Sequence, residues 1–461
     1  MRLTCLAFTA LTALSGPVLA EESRKGEART WQAGDHHVHS RFSGKRAEDG
    51  AYVLGKDGIY TLPENARRAQ QYGLSWVVLI DHGGEGLSKL RYEQAYPELL
   101  EAREAVPDLI QFFGMELDTP GGDHSSLIMA IDPKEAETLR HLEQSYNAHE
   151  AKDPARDDPA RMIAALKEMD GLNPKPLVIA NHPSRGAKTP DGYGRHTPQS
   201  LRQWMDTAPD VAVGMEGAPG HQGTSLKANA TPETLRKRGY YEQSPTFGGF
   251  DAMTAKVGGV WDALLGEGRH FIVTATSDSH RNVADGGEDF WPGQYAKTYV
   301  KARKDPADIL AGLRAGRVFI ATGDLVSELD MDVGGAHIGE TAKFKKRQTV
   351  TVSVRLRDPA GPNANGDRPD LRRVDLIMGE ITGKAAERNE TTKVVKTFTP
   401  ADWHRDGEIV TLKWAFTATT DAYLRLRGTS TDEAEPLPDP LGENPWPDLW
   451  VYSSPVYIKV R

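Results

Sequence analysis

The stretch Asp35-His36-His37-Val38-His39-Ser40 places two imidazoles at alternate positions. In an extended chain alternate side chains share a face. His37 and His39 can therefore grip one metal ion and leave part of its coordination shell open to a reactant. Alone, such a pair reads more often as two surface histidines or a chance match than as a metal site. Its meaning comes from residues far along the chain. Apolar runs end in Asp81-His82, in Glu116, in Asn181-His182-Pro183, in Glu216 and in Ser277-Asp278-Ser279-His280, and His124 stands just before another run. His37, His39, His82, Glu116, His124, His182, Asp278 and His280 thus gather six of the 14 histidines at strand ends. One buried histidine with one hydrogen bond is ordinary core; six at equivalent ends of successive strands point to a multinuclear metal site. Imidazole and carboxylate suit Zn, Mn or Fe, and Glu116 can bridge two ions. Bound divalent ions turn water into hydroxide at neutral pH and stabilise charge on an ester oxygen as its bond breaks.

The elements that must carry these residues are legible as apolar runs. Arg29–Gly34 reads as a first strand, and Arg41–Tyr60, rich in glycine and charge, as a loop over its end. Trp76–Ile80, Leu109–Met115, Ser125–Ile131, Leu177–Ala180, Val211–Met215 and Phe271–Thr276 read as further strands, with helices at Pro63–Tyr72, Lys89–Ala105, Pro159–Met169 and Val257–Leu265. Continuous apolar runs suit strands buried on both faces of a parallel sheet. Strand, polar residue, helix, repeated, predicts an α/β barrel with its chemistry at the carboxyl ends of the strands. Gly186–Gly249 is rich in glycine, proline and threonine and reads as substrate-contacting loops. Beyond Asp324 the texture changes: Thr349–Leu356, Val410–Phe416 and Val456–Val460 alternate polar with apolar, as half-buried antiparallel strands do. Residues 325–461 therefore read as a β-sandwich.

The chain has 461 residues, 38% apolar and 26% charged, and a net charge of -9. Such a balance fits folded domains with a real core and argues against a nucleic-acid partner, which a basic excess would mark. It does not exclude an anionic substrate, because bound cations dominate the field where they sit. Residues 1–20 carry Arg2, an apolar run from Leu3 to Leu14 and Val18-Leu19-Ala20. This is the layout of a secretory signal peptide; the run is short for a membrane span. Cys5 is the one cysteine, so the mature chain has no thiol and any metal falls to histidine and carboxylate. Export to the periplasm or the medium is expected, with no membrane span in the mature form.

His37-x-His39, Asp81-His82, Glu116 with His124, His182-Pro183 and Asp278-x-His280 resemble the motifs of the polymerase and histidinol phosphatase (PHP) superfamily, over roughly residues 31–322. Ile309–Phe319 and Trp450–Val460 look like its carbaryl-hydrolase-like branch. The resemblance implies a distorted (β/α)7 TIM-like barrel over residues 21–324 that holds two or three divalent ions. By the same resemblance His37, His39, Glu116 and Asp278 hold the first ion, Glu116, His124 and His182 the second, and His82 and His280 the third. One place departs from the pattern. Where many members carry a third-ion ligand, this chain reads Ser43-Gly44-Lys45, leaving Asp49 as a substitute or the Lys45 ammonium in the ion's place.

The expectation is an exported metal-dependent hydrolase, with phosphoester hydrolysis first and a carboxyl ester, carbamate or amide second. Turnover is expected to depend on His82, Asp278 and His280. Arg41, Arg185 and Arg281, each beside a motif residue, can hold phosphate bidentately; a solvated surface arginine is the plain alternative for each. Lys45 and His221 join them as substrate contacts. His196 and His221 can protonate a leaving group, against the plainer reading of exposed histidines. A pocket lined by Trp204, Phe247 or Trp291 would favour an aromatic ester. A non-catalytic binding protein is the outside reading.

Overall fold

The computed structural model describes residues 28–189, 192–220, 240–241, 244–281, 290–440 and 443–461. It is a mixed α/β structure built on one large sheet. The strands that carry the histidines are β1 (Thr30–Val38), β2 (Trp76–His82), β3 (Ile110–Asp118), β4 (His124–Ile128), β5 (Leu177–Ala180), β6 (Ala212–Ala218) and β7 (Ile272–Ala275). They lie side by side in the order β7-β6-β5-β4-β3-β2-β1. Helices α1 (Leu62–Gln71), α2 (Tyr96–Ala105), α3 (Glu135–Tyr146), α4 (Pro159–Asp170), α5 (Pro198–Thr207) and α6 (Val260–Gly266) fall between them. Polar side chains start several of the helices: Thr61 accepts from Glu64 N in α1, and Asp158 accepts from Ala160 N in α4. Each cap satisfies an end donor that the helix itself cannot.

The apolar runs are buried on both faces, as Trp76–Asp81 is throughout. Packing at the foot of β1 is close enough to require glycine. A Cβ on Gly34 would stand 1.9 Å from the ring of Trp76. That indole is fully buried and donates to Gln32 O at 3.1 Å.

The strict strand–helix alternation fails at β4. A parallel return needs a crossover of a dozen or more residues, and only Thr119–Asp123 separates β3 from β4. The two strands therefore form an antiparallel hairpin with Asp118 opposite His124, and β4 is antiparallel to β5 as well. The reversal brings the first residue of β4 to the same rim as the last residues of β2 and β3. His124 consequently sits beside Glu116. The outer strands of this series also meet: Val38 bridges Ser279, with His39 N donating to Ser279 O at 2.9 Å.

The sheet does not stop at residue 324. Beyond β1 it runs through β8 (Ala296–Ala302) and β9 (Val318–Thr322) into strands of the last third. Given β10 (Glu328–Val333), β11 (Thr349–Arg357), β12 (Arg373–Glu380), β13 (Lys393–Phe398), β14 (Ile409–Thr417), β15 (Ala422–Thr429) and β16 (Trp450–Ser453), the order continues β1-β8-β9-β16-β15-β12-β13. The joint is the antiparallel pairing of Phe319–Ala321 with Val451–Ser453. A second sheet contains β10, β11 and β14. Alternate residues of β11 are buried (Val350, Val352, Val354 and Leu356), the period expected of a strand with one wet face. The alternation read from sequence thus describes β11 well, but in Val456–Val460, also read that way, the first three residues are all buried.

Candidate metal centre

Each candidate ligand reaches the rim from a different element. His37 is near the end of β1 and His39 just beyond it; His82 closes β2, Glu116 lies near the end of β3, and His124 opens β4. His182 follows β5, and Asp278 and His280 follow β7. Their side-chain atoms converge. His37 Nε2 lies 3.0 Å from His39 Nε2, 2.9 Å from Asp278 Oδ1 and 3.1 Å from Glu116 Oε1. His39 Nε2 is 3.2 Å from the same Asp278 oxygen. Around Glu116 stand His124 Nδ1 at 3.0 Å, His182 Nε2 at 3.2 Å and His82 Nδ1 at 2.6 Å. Ligand atoms about 2.0–2.2 Å from one ion stand about 2.8–3.6 Å from each other in octahedral or tetrahedral arrangements. Most of these separations have that length.

Hydrogen bonds behind the site fix which ring nitrogen faces it. Glu216 Oε1 lies 2.6 Å from His37 Nδ1, so the proton is on Nδ1 and the Nε2 lone pair points inward. Ser43 Oγ donates to Asp81 Oδ1 at 2.7 Å and must accept from His39 Nδ1 at 2.9 Å. The peptide oxygen of Asp278 takes the Nδ1 proton of His280 at 2.7 Å. Three imidazoles are thereby held with Nε2 turned toward other candidate ligands. His37 Nε2 faces the carboxylates of Asp278 and Glu116, and His280 Nε2 faces Asp57, so a proton or a metal ion belongs between them.

Charge in the site tells the same story. Burial opposes ionisation of Glu116, yet His124, His82 and His37 hold its carboxyl well below the usual carboxylate range. Burial also opposes charging His82 and His124, but Glu116 and the acids around it push them up to about 10 and about 9. His182, where burial dominates, is pulled down to about 3. The acids of the rim call for positive charge, and protons and metal ions compete for the same atoms. The residues present fit divalent ions: Glu116 Oε2 is buried and faces imidazole nitrogens, His82 Nδ1 at 2.6 Å and His39 Nε2 at 3.6 Å, and the donors fall into groups of three. These are His37, His39 and Asp278; His82, Glu116 and His124; Asp123, His124 and His182; and His39, His82 and His280.

Backbone geometry adds a further mark. His182 and Asp278 hold φ of 29° and 48°, in the left-handed region that non-glycine residues rarely adopt. Such strain costs about 1–3 kcal/mol per residue and persists where surrounding structure imposes it. Here Glu216 Oε2 accepts from His182 N at 2.6 Å, and Asp35 accepts from Ser277 N and His37 N at 2.9 Å each.

Sequence reasoning missed several members of the site. Asp57, in the loop after β1, stands 2.9 Å from His82 Nε2 and 3.4 Å from His280 Nε2. It occupies the place that Lys45 or Asp49 was expected to take; both of those are exposed, and Asp49 Oδ1 accepts from Ala51 N within its own turn. No local pattern marks Asp57, because only the return of the loop brings it back. Glu216 had no assigned role; it orients His37 and steadies the turn at His182. Asp123 also went unnoticed, as did the Asp118–His149 pair, 3.1 Å apart at the edge of the rim.

The expected substrate contacts divide. Arg185 is at the rim, 3.4 Å from His124 and held bidentately by Asp123 at 3.1 and 2.5 Å. Arg281 donates to the peptide oxygen of Asp57 at 2.8 Å and so braces that loop. Arg41 turns away and pairs with Glu98, whose other oxygen holds Leu62 N at 2.9 Å. His221 lies outside the described residues. His196 is buried, not exposed, and bonds His124 O at 2.8 Å; burial pulls its pKa down to about 4. Trp204 packs edge-on against His196, Trp291 lies against Tyr60 and under Arg68, and Phe247 is buried beneath Lys256. Among the described residues no helix is long and apolar enough to cross a membrane.

The carboxylate behind His37 gives one testable consequence. Glu216→Gln keeps the shape but loses the charge and leaves one accepting oxygen for both His37 Nδ1 and His182 N. Ion affinity is expected to fall about 10–100-fold, measured by competition with a metal indicator; an unchanged affinity would reduce Glu216 to a backbone brace.

No family model and no curated protein matches this chain. Among solved structures, it is similar to a proposed metal-dependent phosphoesterase from Bifidobacterium adolescentis, at 14% identity over 57% of this chain and 92% of the other, with a TM-score of 0.28. An amidohydrolase from Chromobacterium violaceum with bound sulfate and no metal matches at 14% identity over 56% and 90%, TM-score 0.28. A family 30 xylanase from Clostridium acetobutylicum matches at 10% identity over 93% and 97%, TM-score 0.23. Likeness this low establishes neither family nor activity, and what the chain can do is read from its own rim of imidazoles and acids.

Proposed function

We propose that the protein is an exported metal-dependent hydrolase of the PHP type, acting first on phosphoesters. The reading rests above all on imidazoles from β1, β2, β4 and the loops after β5 and β7 facing Glu116 and Asp278 at ligand-to-ligand distances, with outward nitrogens protonated. In this reading β1–β7, joined by the Val38–Ser279 bridge, form the distorted barrel, residues 325–461 form the sandwich, and residues 1–20 are removed on export. His37, His39, Glu116 and Asp278 would hold one ion; Glu116, His124 and His182, with Asp123 beside them, a second. His82 and His280, with Asp57, would hold a third. Bound there, Zn, Mn or Fe supplies an acidic water and polarises a substrate oxygen.

The chain's own residues do the rest. Arg185, held at the rim by Asp123, offers guanidinium N–H groups to an anionic oxygen. Asp81 locks Ser40 and Ser43 behind His39, so that imidazole cannot turn when substrate arrives. Burial of His37, His39 and Glu116 limits bulk water around the reacting atoms and strengthens the fields acting there. The withdrawal of Arg41 toward Glu98 removes one expected phosphate clamp. That observation keeps a carboxyl ester, carbamate or amide as the second reading.

Metal analysis of the purified mature protein, with nitrophenyl phosphate, bis-nitrophenyl phosphate, acetate and carbamate tested side by side, decides between them. Bound divalent ions and phosphoester turnover, lost on chelation and restored by metal, are expected. Faster carbamate or acetate turnover selects the second reading; full turnover after complete removal of metal would end both.

A further inference from the structure

Behind Glu116 runs a buried line of polar groups that metal binding alone does not require. Asn181 Nδ2 donates to Glu116 Oε1 at 3.0 Å. Asn181 Oδ1 accepts from Ser126 Oγ at 2.8 Å and from Ser126 N at 3.0 Å. Ser126 Oγ lies 2.9 Å from His36 Nδ1, and His36 Nε2 lies 2.8 Å from Thr274 Oγ1. All four residues behind Glu116 are fully buried. They come from β1, β4, β7 and the turn after β5.

The direction of every hydrogen in this line follows from one peptide group. A backbone N–H can only donate, so the Asn181 atom facing Ser126 N is its oxygen, and the amide nitrogen must face Glu116. With its hydroxyl proton given to Asn181, Ser126 Oγ accepts from His36 Nδ1–H. His36 Nε2 is then an acceptor and takes the Thr274 hydroxyl proton. The competing contacts, Ser126 Oγ to His36 O and Thr274 Oγ1 to Met215 O, are both longer at 3.4 Å. His36 thus sits neutral between two hydroxyls, never facing the cavity, in the same motif as His37 and His39.

We infer that Asn181 is a positioning residue for Glu116, held in its donating orientation by Ser126 and His36. This rests on the proposed metal site and assigns what sets its central carboxylate. Free rotation would let Glu116 turn its oxygens away from the imidazoles they face. The Asn181 N–H fixes Oε1 beside His37, His124 and His182 and leaves Oε2 beside His82. The Ser126 N–H and hydroxyl make Asn181 resist an amide flip, which would set a carbonyl oxygen against the carboxylate, and His36 supplies the proton that leaves that hydroxyl free to donate.

The experiment uses the mature full-length protein with Zn²⁺ and Mn²⁺ as probes, their affinities measured by indicator competition, beside thermal melting and steady-state kinetics. Asn181→Ala and Ser126→Ala are expected to weaken the ions that share Glu116 about 10–100-fold. The value of kcat should fall while KM stays within about twofold of wild type. Ser126→Thr, which keeps the hydroxyl, is expected to restore affinity, whereas a packing role alone would lower the melting temperature and leave affinity unchanged. Wild-type affinity in folded Asn181→Ala and Ser126→Ala, alongside a metal-binding wild type, overturns this inference and leaves the hydrolase reading standing. A wild type that binds neither ion overturns both. Should Asn181→Ala not fold, Asn181→Asp, which keeps the volume and sets an acceptor against Glu116 Oε1, takes its place with the same expected loss of affinity.

Discussion

Glu116→Gln is expected to lower hydrolysis at least about a thousandfold, equivalent to about 4 kcal/mol in the barrier, while the protein stays folded. The side chain is central: His37, His124 and His182 lie within 3.2 Å of its Oε1, and His82 lies 2.6 Å from its Oε2. Gln conserves volume, so the change removes charge without opening a cavity. An amide has one oxygen to offer where the carboxylate had two, and its NH₂ group would face imidazoles that already compete for acceptors. Ion stoichiometry should therefore fall together with rate. Metal content, circular dichroism and turnover of the best nitrophenyl substrate check this. Full metal content with wild-type rate would remove Glu116 from the centre of the site and the proposed mechanism with it.

Asp262→Ala is expected to be the most destabilising single change in the joint between α6 and the last third of the chain, by about 3–5 kcal/mol. Asp262 lies in α6, and both its oxygens accept from Arg425 of β15 at 2.8 Å. Gly258 N and Tyr423 OH complete its shell at 2.7 and 3.0 Å. Both partners are fully buried, and the Arg425 guanidinium lies over Trp261. Removing the acid strands a buried cation with no water to solvate it, which explains the size of the effect. Replacing both partners, as Asp262→Leu with Arg425→Met, should recover much of the loss, since a buried pair replaced whole is often close to neutral. Chemical denaturation followed by tryptophan fluorescence measures both variants. An Asp262→Ala midpoint equal to wild type would show that β15 and α6 do not depend on each other.

Much of this arrangement was readable from residues near one another in the chain. An apolar run ending in histidine or acid is a local pattern, and it marked His37, His39, His82, Glu116, His182, Asp278 and His280 as residues of strand ends. Even His124, on a reversed strand, was found because it adjoins an apolar run at either polarity. Roles that depend on a partner distant in sequence were not readable in this way. Arg41 and Arg185 look alike beside their motifs, yet one meets Glu98 and the other Asp123. Glu216 looked like any acid after a strand until His37 and His182 N were found against it. Asp57 belongs to a loop whose composition says only that it is a loop.

By itself the sequence determined which residue types stand where chemistry could occur. The choice of imidazole and carboxylate over thiol, the hydrophobic strands that carry them, and the change of pattern after residue 324 are properties of composition and short-range period. Tertiary structure alone decided the rest: that β4 runs backward, that one sheet passes through β9 into β16, that Asp57 faces His82, and that His36 is turned inward behind Asn181. Each of these depends on which distant groups meet. A buried donor or acceptor must find a partner wherever the folded chain provides one, and no window of neighbouring residues records where that is.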